Sequence, residues 1–305
     1  MENVYHDGEL EIQKRVGEAE IADQNKKLVT PFIVKGAINF VEKQPMAIVG
    51  SRNQEGELWA SILIGNFGFV KVADPAMVVF DREKLVSNPD DIFYANISTD
   101  NQIGSLFIEL DSRKRLRVNG SVTMEGSKIE LSVDQSYPNC PKYIQRRVIS
   151  MPEYFEKTQS GSSEGVGLTE AMISWIRGAD TFFVASAGTD GHLDVSHRGG
   201  NPGFLQVDED GVLKIPDYPG ASFFNTFGNV LQNPQVGLLF IDFKKRETLQ
   251  LTGTASLLFD QNAEDDLLRT KGTGRFWLFK PARWIHTLEH HRVGWSFLEY
   301  SPFNP

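Results

Sequence analysis

Apolar and polar positions alternate along this chain in short runs, and the same order of runs occurs twice. PMAIVGS (45–51) is an apolar run, RNQEG supplies a turn, and ELWASILI resumes with apolar residues at alternating positions, a pattern that predicts a β-hairpin. AMVVFD and SLFIEL are too short for independent helices and rich in β-branched or aromatic residues. LRVNGSVTMEGSKIELSV alternates and turns at EG, which predicts another hairpin. SNPDDIFYANIST has helical spacing with Asn-Pro near its start. The second half repeats the order: TFFVASA, turn GTDG, HLDVSH, GFLQVD, turn EDG, VLKIPD, a helix over SFFNTFGNVLQ, VGLLFID, turn KKRE, TLQLTGTASLLF.

Six or seven short strands per copy, with one or two small helices, predict a mainly β fold with minor α. A barrel removes exposed strand edges, so tandem small β-barrels are expected. The boundaries read as an N-terminal arm over 1–30, a first barrel over 31–150, a linker and helix over 151–178, and a second barrel with a C-terminal extension over 179–305. SGSSEGVG (160–167) reads as a flexible linker by composition. LTEAMISWIRG reads as a helix capped at Thr169 and ended at Gly178.

The copies are not equivalent. Gly56 aligns with Gly191, Ser61 with Ser196, Asn96 with Asn229 and Gly120 with Gly253, at offsets of 133–135. SILIGNFGF in the first copy faces SHRGGNPGF in the second, so Leu63 stands where the second has Arg198, and Ile92 where it has Asn225. The scaffold folds without the polar set, which points to one working site. In SHRGGNPGF, Arg198 leaves the end of a strand as the backbone becomes glycine-rich. Arginine offers a planar fork suited to phosphate oxygens, and glycines let backbone N–H groups approach an anion. The helix opening after PGASFF adds free N–H groups as the other half of an anion site.

Composition narrows the rest. The 305 residues, 40% apolar with 21 Phe, suffice for two cores. A net charge of −9 argues against a nucleic-acid partner. The longest strongly apolar run, VGLLFI, is too short to span a bilayer, and the charged N-terminus lacks a signal peptide's apolar core. Cys140 is the one cysteine, so no internal disulfide forms, and a cytoplasmic location is expected. His286 and His290 in HTLEHH have the i, i+4 spacing of one helical face. Thr287 stands where a zincin needs Glu, so a solvated helix end is expected there and no metal. His197 reads equally as a ligand contact and as a hydrogen-bonded turn histidine. No nucleophile elbow or Walker-type loop occurs.

The string DTFFVAS…DVSHRGGNPGFLQV…IPDYPG…NTFGNVLQNPQVGLLFIDF…LQLTG resembles the pyridoxamine 5′-phosphate oxidase-like family of FMN-binding split barrels, in its predicted flavin-nucleotide-binding branch. The resemblance covers about residues 168–260. The first copy, with NCPKYIQRR (139–147), is similar to the degenerate barrel of two-barrel members. The resemblance implies FMN held between two barrels, paired either in a homodimer or within one chain. It places Ser196 and Arg198 near the phosphate and ribityl chain, and His197 and Gly199 of the same motif are further candidate cofactor contacts. Polar and helix N-terminal contacts would come from Ser222, Asn225, Thr226 and Asn229, and Thr248 and Gln250 would lie on a strand face near the flavin ring. Ala221 stands where members of the branch often carry Asn, which weakens the phosphate site unless Ser222 substitutes. The implied activity is an FMN-dependent oxidoreductase passing hydride or electrons between a nicotinamide-type donor and a small acceptor. Pyridoxamine phosphate is not the expected substrate, because the oxidase's C-terminal substrate segment is not recognisable. A non-catalytic module that stores or senses a flavin or haem is the alternative.

Overall fold

Two antiparallel sheets, each with a seven-strand path in the same order, dominate the structure, a computed structural model that describes residues 4–151 and 160–305. The arm forms helices α1 (Asp7–Arg15) and α2 (Ala19–Asn25), and α3 (Lys35–Glu42) leads into the first sheet. That sheet holds β1 (Met46–Arg52), β2 (Leu58–Ile64), β3 (Val70–Asp74), β4 (Met77–Asp81), β5 (Gln102–Glu109), β6 (Lys114–Glu125) and β7 (Lys128–Pro138), with α4 (Ile92–Ile97) before β5. Next come β8 (Arg146–Ser150), β9 (Gly161–Gly165) and α5 (Glu170–Gly178), the last capped by the Thr169 side chain on Met172 N–H.

The second sheet holds β10 (Thr181–Ala187), β11 (Leu193–Gly199), β12 (Gln206–Val207), β13 (Leu213–Pro216), β14 (Gln235–Asp242), β15 (Glu247–Leu258) and β16 (Phe276–Leu288). Helix α6 (Asn225–Gln232) precedes β14 and α7 (Glu264–Arg269) precedes β16, while β17 (Gly294–Glu299) pairs with β8 in a separate ribbon. The strand orders are β2-β1-β5-β6-β7-β4-β3 and β11-β10-β14-β15-β16-β13-β12. Registers correspond as well: Leu106 faces Arg117 in the first sheet, and Leu239 faces Gln250 in the second. Each long strand carries a bulge at the same place, Asn119/Gly120 and Thr252/Gly253. A Cβ on either glycine would lie 1.8 Å from Ser132 O or 2.2 Å from Lys280 O, so the bulge admits only glycine. These are tandem split β-barrels.

Among the described residues, three large apolar cores result. Val49, Phe80 and Phe107 help fill the first barrel, and Phe182, Phe240 and Trp277 the second. A third core joins them: Ile48, Ile62 and Leu106 pack with Phe183, Val195 and Leu239. Each such buried side chain contributes about 1.5–3 kcal/mol, so the faces that the two barrels turn toward each other are held by the same force as the barrel interiors. Among the described residues no helix is long and apolar enough to cross a membrane.

Three sequence expectations change here. SGSSEGVG contains a strand: β9 pairs with β16 from Gly165–Trp284 to Gly161–Leu288. The pairing arises because β13 covers only residues 276–279 of β16, leaving the rest of that edge with unpaired backbone groups. Residues 1–3 of the expected arm and 152–159 of the expected linker lie outside the described residues. HTLEHH is not helical: His286 lies on β16, 3.0 Å from Glu247 Oε2, and His290 is buried beyond the strand end. Finally, Ser196 to Gly199 belong to β11 itself, so the cationic motif starts on a strand and the loop begins at Gly200. The strand continues because Phe182 and Thr181 pair with Arg198 and Gly199.

Candidate functional site

The end of β11, the loop before α6 and the first barrel's β6–β7 edge converge on a cavity of about 120 Å³. Ser196, His197, Arg198, Gly199, Ser222, Asn225 and Thr226 line it from the second barrel. Arg115, Arg117, Cys140 and Lys142 line it from the first. Its volume lies below the roughly 300–1,000 Å³ usual for whole-ligand pockets, and suits an anionic head group.

Arg117 ties the two barrels together here. Its Nη2 donates to Ser196 Oγ at 2.6 Å, its Nη1 to Asn225 Oδ1 at 2.6 Å and Tyr137 Oη at 2.7 Å, and its Nε to Val195 O at 2.9 Å. Asp194 lies 3.4 Å from Nε and accepts from Tyr137 and Asn119. The guanidinium is thus buried with its charge met and its N–H groups used, the condition under which a buried ion is tolerated. Arg115 is half-buried: its Nε donates to Cys140 O at 2.9 Å, and its Nη2 lies 3.6 Å from Cys140 Sγ. Burial lowers the Arg115 pKa, with Arg117 and Arg198 adding to the effect.

Arg198 Nη1 donates to Asp217 Oδ1 at 3.2 Å, and Asp217 also receives Arg275 Nε at 3.0 Å. The Nε of Arg198 is buried without a partner, as are His197 Nε2 and Tyr218 Oη on the same cavity. Buried polar atoms normally find partners, and three orphans around one cationic cavity match a missing polar group. His197 packs edge-on against Phe183, with ring centroids 5.6 Å apart. Burial, with Arg115, Arg198 and Arg147 nearby, holds its pKa well below the usual range, so the ring is neutral. It is a strand residue facing the cavity, and a turn histidine is ruled out.

Helix α6 opens from Phe224 in the left-handed region, at φ 59°, and no side chain caps it. Its first N–H groups are therefore available to an anion. Thr226 Oγ1 donates to Ser196 Oγ at 3.3 Å. Ser222 does not stand in for the missing Asn at Ala221: its hydroxyl donates to Glu18 of the arm. Asn229 lies away from the cavity and donates to Ser186 Oγ at 3.0 Å, as Asn96 does to Ser51 in the first barrel at 2.9 Å. The same bond in the barrel lacking the polar set makes Asn229 a structural residue.

Thr248 and Gln250 are not at this cavity. Gln250 Nε2 donates to Ser61 Oγ at 2.8 Å and Ala60 O at 3.0 Å, across the interface to the first barrel. His290 Nε2 lies 3.2 Å from Ile62 O, which can only accept, so Nε2 carries the proton and Nδ1 accepts from Thr248 Oγ1 at 3.2 Å. Each barrel's long strand serves the other barrel's site. Arg115 and Arg117, at 248 − 133 and 250 − 133, occupy the positions expected of Thr248 and Gln250. The repeat offset was the signal that identifies them.

The fold and this cavity define a split barrel with a cationic inter-barrel pocket. Residues 168–286, which span the second barrel, match the family model described as pyridoxamine 5′-phosphate oxidase, and the second barrel is similar to the split barrels of that family. No curated protein matches the chain. Among solved structures, HupZ of Group A Streptococcus is 13% identical, covering 44% of this chain and 98% of its own, with a TM-score of 0.31. An FMN-binding protein from Syntrophomonas wolfei is 13% identical, with coverages of 42% and 90% and a TM-score of 0.25. General Stress Protein 26 from Bacillus anthracis is 16% identical, with coverages of 40% and 92% and a TM-score of 0.27.

Proposed function

We propose that the cavity between the barrels receives the phosphate of a flavin nucleotide, FMN, and that the chain works as an FMN-dependent oxidoreductase between a nicotinamide-type donor and a small acceptor. The observation that carries the reading is the buried, unpartnered Nε of Arg198 on a cavity shared with Arg115, Lys142 and an uncapped helix N-terminus. Arg198 and the α6 N–H groups would hold the phosphate, while Ser196, fixed by Arg117, would present its hydroxyl to the neighbouring chain of the ligand. When bound, the flavin supplies the hydride chemistry. The protein orients it and excludes water, and hydride transfer needs no general acid from this chain.

In the same reading, the chain is a tandem duplicate whose barrels pair internally as two subunits of a dimer would. The equivalent position near Ser61 is closed by Gln250 and His290, which leaves one ligand site per chain. The absorption spectrum of the purified protein tests binding: flavin bands, or their appearance with added FMN, are expected. A colourless protein that does not bind FMN would refute the proposal. Anaerobic mixing with nicotinamide donors tests the redox half, and a bound flavin that stays oxidised would leave a binding protein only.

A further inference from the structure

Helix α1 of the N-terminal arm lies against α6, the helix whose N-terminus faces the cavity. The approach is close: a Cβ on Gly8 would lie 2.3 Å from Gly228 O, and a Cβ on Gly228 would lie 2.6 Å from Glu9 N. Only a glycine pair permits it. His6 caps α1 and also meets Asn229 Oδ1 at 2.8 Å through Nε2, while Gln13 donates to Phe223 O and Asn25 to Ala221 O. The arm therefore grips the loop and first turn that form one wall of the cavity.

At the centre of the grip is Glu9, which is 3% exposed. Its Oε1 accepts from Asn225 Nδ2, and its Oε2 accepts from the His6 backbone N–H at 3.0 Å. Asn225 in turn accepts from Arg117, and Arg117 donates to Ser196. A continuous series of hydrogen bonds thus runs from the arm's carboxyl to the cavity's serine. The charged and titratable groups around Glu9 are His6 and Tyr5 on the arm, Arg117 on β6, Tyr137 on β7 and Asp194 on β11. Asp194 already offsets Arg117, so an ionised Glu9 would be a second anion beside one cation.

We infer that Glu9 is a positioning residue of the ligand site, which holds Asn225 and Arg117 in place and couples the binding of an anion in the cavity to protonation of its own carboxyl. Burial, reinforced by Asp194, raises its pKa to about 8, which puts the transition in an accessible range. A phosphate entering the cavity adds negative charge near this network and favours the neutral acid. Affinity therefore falls as pH rises past the transition, and binding takes up a proton.

The inference rests on the FMN reading above, and FMN is the probe. In the 305-residue chain, FMN affinity measured by flavin fluorescence is expected to drop by up to about tenfold from pH 7 to 9. Glu9→Gln keeps the side chain's shape and removes the charge, and its affinity is expected to stay level over the same range. Calorimetry of the unaltered protein at pH 8, in two buffers of different ionisation enthalpy, is expected to show uptake of about half a proton per FMN; this needs no variant to fold. Parallel pH profiles, or no proton uptake, overturn the inference while leaving FMN binding intact. Failure of both proteins to bind FMN at any pH overturns the functional reading and this coupling with it.

Discussion

Arg117 in the first barrel donates to Ser196 in the second at 2.6 Å, and the reciprocal bond runs from Gln250 to Ser61 at 2.8 Å. The two bonds occupy equivalent registers, so the molecule carries two versions of one interface. One version is cationic and borders a cavity. Among the described residues the other has no cation, carries the buried carboxylate of Asp91 on Ser61, and is closed by His290. Charge and access thus separate positions that the backbone treats alike.

Arg198→Ala is expected to weaken FMN binding by roughly 1.5–3 kcal/mol, the scale of a charged hydrogen bond, with little change in the unfolding midpoint. Arg117→Ala is expected to behave differently. It leaves Asp194, Asn225 and Ser196 without their shared donor inside the interface, and should cost about 3–5 kcal/mol of stability. Denaturant unfolding and FMN titration of both variants check the contrast. Equal FMN retention in Arg198→Ala would show that the anchor is misassigned.

Leu63, the first-barrel counterpart of Arg198, is fully buried in the first core. Leu63→Ala should destabilise by about 2–5 kcal/mol. FMN affinity of the folded fraction should be unchanged, since no ligand site is proposed there.

Gly228→Ala reverses an ordinary expectation. In a free helix the change would stabilise by up to about 1 kcal/mol. Here the new methyl would meet the Glu9 backbone, with Cα 2.7 Å away, so a loss of about 1–3 kcal/mol is expected. Limited proteolysis should then cut the arm faster than in the unaltered protein.

His290 and His291 predict acid sensitivity. Burial lowers both, and His291, with His290 and Arg246 also acting on it, is pushed down to about 3. Each is a base whose folded pKa lies below its unfolded value near 6.5. Their contribution is complete above pH 6.5 and is lost as pH falls toward 3. The His291 ring is buried, and only the Val293 backbone opposes the lowering. His291→Leu should therefore flatten the acid limb of a stability–pH curve measured by urea unfolding. An unchanged limb would assign the acid loss to carboxylates.

Much of the fold is legible in the chain itself. Alternation at period two predicts the strands, because a half-buried strand must place apolar groups on one face. The helix at α6, the Thr169 cap and the repeat offset follow from local spacing, as does the contrast between Leu63 and Arg198. Local pattern also misled where a neighbour decided the outcome. SGSSEG has no strand propensity to speak of, yet the open edge of β16 recruits it. His286 and His290 share helical spacing, but β15 draws the first into a strand.

What one chain position implies about a distant one was not legible. The family resemblance placed Thr248 and Gln250 near the flavin ring of the site that Arg198 would anchor. Packing of the two barrels puts each long strand against the opposite barrel, so Arg115 and Arg117 stand beside Arg198 instead. The arm's hold on α6 is of the same kind, since nothing near Glu9 in the chain announces a contact more than 200 residues away. Periodicity and turn chemistry act over a few residues and settle the elements. Which side chains share a site is set by the apolar faces that two barrels must bury together, and that depends on the whole fold.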